Sequence, residues 1–81
     1  MDPNDYATAD LSLAAGLIAA GHALSHIERR SGRAWFCFVP DPTIAATAQQ
    51  FFAGGLMVDA RALTDHLRAL KSALHEGGAG R

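Results

Sequence analysis

The sequence predicts a small α+β domain of order α-β-β-α-α, an antiparallel β-hairpin packed against three helices. Two apolar-periodic runs flank Arg30-Ser31-Gly32-Arg33, a two-residue hairpin turn whose glycine tolerates positive φ. Leu63, Leu67, Leu70 and Leu74 recur at i, i+4, i+7 and i+11, the stripe of an amphipathic helix. Two further apolar runs, about residues 9–20 and 42–53, begin and end on helix start and stop residues.

In chain order, residues 1–8 read as a flexible leader, with Tyr6 near enough to tuck onto the fold. Thr8 suits an N-cap, which puts Asp10 in the first turn, where the helix dipole favours an acid. The first helix then carries Leu11, Leu13, Ala15, Leu17 and Ile18 among Ala residues, so it is apolar nearly all round and expected to be buried on more than one side. Gly16 costs about 1 kcal/mol relative to Ala inside a helix, which points to close backbone approach by a neighbouring element. Gly21 is the expected residue just past the helix end.

In the hairpin, strict alternation groups Leu24, His26 and Glu28 against Ser25, Ile27 and Arg29. On the second strand Ala34, Phe36 and Phe38 face one way, and Trp35, Cys37 and Val39 the other. Pro40-Asp41-Pro42 stops the strand and starts a helix over 42–53, with Asp41 able to cap and Ile44, Ala48, Phe51 and Phe52 as its buried edge. Gly54-Gly55 ends that helix, and Leu56-Met57-Val58 reads as an extended connector or third edge strand. Asp59 caps a last helix over 60–75, within a single domain of residues 9–76, and residues 77–81 read as a flexible tail.

Composition narrows the function classes. Eighty-one residues hold one core, and 49% apolar with 19% charged residues is a globular balance. Much of the apolar fraction is Ala, so the core is thin and self-association or a docked partner is expected. A net charge of −1 argues against non-specific nucleic-acid binding, which needs many phosphate contacts. A single cysteine excludes an internal disulfide, and the run Leu11–Gly21 lacks both the flanking positive charge of a signal peptide and the length of a membrane span. The expected location is cytoplasmic.

No catalytic or nucleotide-binding motif occurs, and no enzyme activity is expected. His22 and His26 stand four apart, and Cys37 can lie near His26 across the hairpin. Because Gly21 ends the helix before His22, the two imidazoles need not share a face, and no metal or cofactor is expected. The densest basic cluster is Arg29, Arg30 and Arg33, beside Trp35. With Cys37 and Val39 these residues are the candidate binding surface, on the argument that three short helices cover only one face of the sheet. The partner expected there is a protein, a second copy of the chain included. The alternative is a nucleic-acid-binding regulator that uses the basic tip.

Residues 13–24, Glu28-Arg29, Phe36 with Phe38, Phe51-Phe52, Val58-Asp59-Ala60 and Leu70-Lys71 together resemble the pattern of a family of small uncharacterised proteins of phages and bacterial genomes. The likeness spans about residues 9–75, and its motifs are mostly packing signals. It implies a mobile-element context and a non-enzymatic accessory role. Inhibition of a host defence complex is one version, with a cytoplasmic location in the host cell; a virion or assembly factor is the other.

Overall fold

A computed structural model describes residues 4–79. The elements run β1 (Tyr6–Thr8), α1 (Leu11–Ala19), β2 (Leu24–Arg30), β3 (Arg33–Phe38), α2 (Ile44–Ala53) and α3 (Ala60–Ala79). The fold is α+β, with three helices and one antiparallel sheet of order β1-β3-β2.

The expected hairpin is present, and its turn follows from local chemistry. Ser31 (φ 53°) and Gly32 (φ 78°) both take positive φ, as a type I′ turn demands, and this sets Arg30 opposite Arg33. The third strand differs from expectation. Residues 6–8, assigned by sequence to the leader, pair with β3 in the register Tyr6↔Phe38, Ala7↔Cys37 and Thr8↔Phe36. Residues 56–58, expected as connector or edge strand, form no strand, and Met57 is 92% exposed. The two-residue alternation needed to recognise a strand is barely expressed in three residues, so β1 has no signature of its own.

Register supplies a second correction. Leu24 pairs with Phe38 and His26 with Cys37, so two residues of β2 oppose one of β3 and Ser25 is the extra residue of a β-bulge. Strict alternation groups Leu24 with His26; the bulge moves Leu24 onto the face of Ile27, beside Phe36 and Phe38. Both apolar residues of β2 thereby pack on the core.

All three helices contribute to that core. Leu13, Leu17, Phe36 and Ile44 are fully buried, each contributing about 1.5–3 kcal/mol by leaving water. Residues 13–17 of α1 are buried in succession, because the helix packs against α2, α3 and β1 at once. Asp10, not Thr8, is its N-cap: Asp10 Oδ1 accepts from Leu13 N–H at 3.0 Å, and Thr8 Oγ1 accepts from Asp10 N–H at 3.1 Å. The expected Gly21 terminus is present at φ 105°.

α2 begins at Ile44, two residues later than expected. Asp41 Oδ1 instead holds the preceding turn by accepting from Thr43 N–H (2.7 Å) and Thr43 Oγ1–H (2.6 Å). Of its expected buried edge, Ile44 and Ala48 are buried and Phe51 partly so, but Phe52 is 66% exposed with its ring edge-on to Phe51. Asp59 Oδ2 caps α3 through Ala62 N–H at 2.8 Å. The leucine stripe faces the core as expected, with Leu70 buried and Leu63, Leu67 and Leu74 packed against it. Helical backbone continues to Ala79, through part of the expected tail; residues 80–81, and residues 1–3 of the expected leader, lie outside the described residues. No helix among the described residues is long and apolar enough to cross a membrane.

Candidate functional site on the open sheet face

One face of the sheet is occupied by the helices. The other carries Ala7, His26, Glu28, Arg30, Arg33, Trp35 and Cys37, related by the pairs Ala7↔Cys37↔His26, Glu28↔Trp35 and Arg30↔Arg33. An open groove of about 410 Å³ runs along it, lined by residues of all three strands with Asp5 and Pro40.

The arginines do not act as one cluster. Arg29 lies across from Ala34, on the helix side, and its guanidinium donates to the Leu74 carbonyl at 3.5 Å. Arg30 lies on the open face, where it ion-pairs with Glu28 Oε1 at 2.8 Å and stacks over Trp35 with its guanidinium carbon 5.5 Å from the ring centroid. Arg33 is exposed and has no ion-pair partner among the described residues. The period-2 pattern separates Arg29 from the other two, in keeping with the alternation that sets Arg29 on the face opposite Glu28.

Trp35 is half-buried, held under Arg30. Cys37 occupies the central strand and is only 8% exposed, because β1 and β2 flank it on both sides. Desolvation, reinforced by the Glu28 charge, pushes its thiol above the ordinary value. Val39 lies just beyond β3, 46% exposed, with its N–H bonded to the Ala23 carbonyl at 2.9 Å.

Sequence reasoning did not single out Glu28, which is the electrostatic centre of this face. Hydrogen bonds from His26 and then Arg30 hold its carboxyl below the usual carboxylate range. His26 Nε2 lies 2.8 Å from Glu28 Oε2, and its Nδ1 lies 2.9 Å from Ser25 Oγ. The i, i+2 spacing of His26 and Glu28 on a strand was the available signal, since it puts both on one face.

His22 goes elsewhere. Its Nε2 is 2.9 Å from Thr47 Oγ1 and its Nδ1 is 3.7 Å from Asp41 Oδ2, so it ties the end of α1 to the start of α2 and takes no part in the open face. Thr47 Oγ1–H donates to the Thr43 carbonyl at 3.1 Å, so the hydroxyl is already committed to the helix turn. Comparison with known protein families, curated proteins and solved structures finds no match to this chain.

Proposed function

We propose that this protein is a non-enzymatic binding module that engages a partner protein through the open face of its sheet. The observation that carries the reading is the Arg30–Trp35 stack on the sheet face opposite the helical core, over which no helix lies among the described residues. Trp and Arg are the residue types most enriched among the anchors of protein interfaces. Here the indole is pre-positioned by its neighbour, which reduces the entropy lost on binding. Arg33, exposed beside the pair, supplies a charge for an acidic group on the partner. A second copy of the chain is one such partner. A phage or mobile-element accessory role, in a host cytoplasm or a virion, rests on the motif resemblance of residues 9–75.

Nucleic-acid binding through the hairpin tip is the weaker reading. Arg29 reaches back to α3 and Arg30 is neutralised by Glu28, which leaves Arg33 as the tip's unpaired guanidinium. One phosphate contact supports little affinity at physiological salt.

The test is affinity capture from host lysate with wild type, Trp35→Ala and Arg33→Glu, alongside sedimentation equilibrium. Loss of a captured protein or of self-association in Trp35→Ala, with unchanged circular dichroism, supports the reading. Salt-sensitive retention of DNA or RNA by wild type but not Arg33→Glu overturns it in favour of the regulator.

A further inference from the structure

We propose that His26, Glu28 and Cys37 form a binding site for a thiophilic divalent cation, Zn²⁺ foremost. This goes beyond the protein-binding reading and does not depend on it. The three side chains offer one imidazole nitrogen, one carboxylate oxygen and one sulfur, all within 4.8 Å of one another; among the described residues no other such group of three occurs.

The sheet produces this convergence. His26 and Cys37 are directly opposed across β2 and β3, and Glu28 follows His26 by two residues on the same face. The bulge absorbs Ser25, so that His26 faces Cys37 while Leu24 remains on the core side. Cys37 sits on the rigid central strand. His26 and Glu28 sit on the edge strand with side chains 53% and 42% exposed, so they are free to adjust. Tetrahedral zinc separates its ligand atoms by roughly 3.3–3.7 Å, given metal–ligand distances of about 2.0–2.3 Å. Small rotations of His26 and Glu28 from their 2.8 Å contact reach that spacing.

Both edge-strand ligands already have the outer partners that metal ligands require. When a metal replaces the bond from Nε2 to Glu28 Oε2, the imidazole proton shifts to Nδ1, where Ser25 Oγ, 2.9 Å away, can accept it. Arg30 grips Glu28 Oε1 and leaves Oε2 facing the site. Thiolate with imidazole selects Zn²⁺ or Co²⁺ over Mg²⁺ and Ca²⁺. Three protein ligands leave a fourth position open to the groove, for water or a donor atom from a bound partner.

The experiment is a Co²⁺ titration of the full chain followed by displacement with Zn²⁺. Wild type is expected to show a sulfur-to-cobalt charge-transfer band and tetrahedral d–d bands, both abolished by one equivalent of Zn²⁺. Cys37→Ser is expected to lose the charge-transfer band. His26→Ala and Glu28→Gln, which alter exposed side chains and leave the core intact, are expected to weaken binding at least about tenfold. A His66→Ala/His75→Ala variant, altered away from the site, is expected to bind as wild type. Absence of the charge-transfer band in wild type overturns the proposal. So does wild-type affinity in both His26→Ala and Glu28→Gln.

Discussion

The ring of Phe51 lies against the backbone of Gly16: a Cβ placed on Gly16 would stand 3.0 Å from Phe51 Cδ1 and 3.1 Å from Cε1. α1 and α2 therefore approach at a point where only a hydrogen fits, and the close approach implied by a mid-helix glycine is made by a helix, not by the sheet. Gly16→Ala gains about 1 kcal/mol of helix propensity and loses a comparable amount in displacing Phe51, so it is expected to be nearly neutral. Gly16→Val is expected to destabilise by about 1–3 kcal/mol in urea denaturation. Replacing Phe51 by Leu in the Gly16→Ala background should recover part of the propensity gain.

Ser31 holds φ 53° at the hairpin turn, a region that L-residues other than Asn and Asp rarely adopt. Ser31→Asn, which suits the first position of a type I′ turn, is expected to stabilise the protein by about 0.5–1 kcal/mol. Thermal unfolding would record a rise in Tm, and a fall would show that the turn is not type I′ in solution.

Deleting Ser25 tests the bulge. Without the extra residue, Leu24 and His26 become consecutive, so regular alternation keeps Leu24 opposite Phe38 on the core side and His26 opposite Cys37 on the open face. Tm and cobalt binding are therefore expected to be largely kept, and a lowered Tm would show that the twist added by the bulge is needed for packing. Ser25→Ala keeps the bulge and is expected to keep the Tm.

The clasp between α1 and α2 predicts an acid-side effect. The Thr43 side-chain and backbone hydrogen bonds lower the Asp41 carboxyl from its ordinary value of 3.8, with His22 adding a smaller contribution. A carboxyl whose pKa is depressed by folding stabilises the native state above its unfolded value, and this contribution is lost as pH falls through the folded one. Stability curves of wild type and Asp41→Asn should therefore converge as pH drops below about 4 and separate above it. His22→Ala, at a side chain 9% exposed, is expected to cost about 1 kcal/mol at neutral pH through the lost bond to Thr47.

Phe52 was legible as a core residue from its place beside Phe51, yet it is 66% exposed. Adjacent residues on a helix lie about 100° apart, so α2, covered on one side by α1, buries one ring and leaves the other outside. Phe52→Ser is expected to change stability by less than about 0.5 kcal/mol.

Where a pattern is written in contiguous residues, the sequence alone determined the structure. The Ser31-Gly32 turn, the Gly21 and Gly54 helix ends, the Asp59 cap and the leucine stripe of α3 each follow from short-range sterics, hydrogen bonding or a 3.6-residue period. The existence of a sheet face without helices followed too, because three short helices cover only one side. Tertiary structure alone decided what depended on pairing between distant segments. Residues 6–8 became a strand because β3 offered an unpaired edge, and Leu24 changed faces because Ser25 bulged out of the ladder. Those two events bury Cys37 in the middle of the sheet and bring His26 and Glu28 over it. A one-residue slip in register reverses every side chain that follows, and no local pattern records where the slip falls.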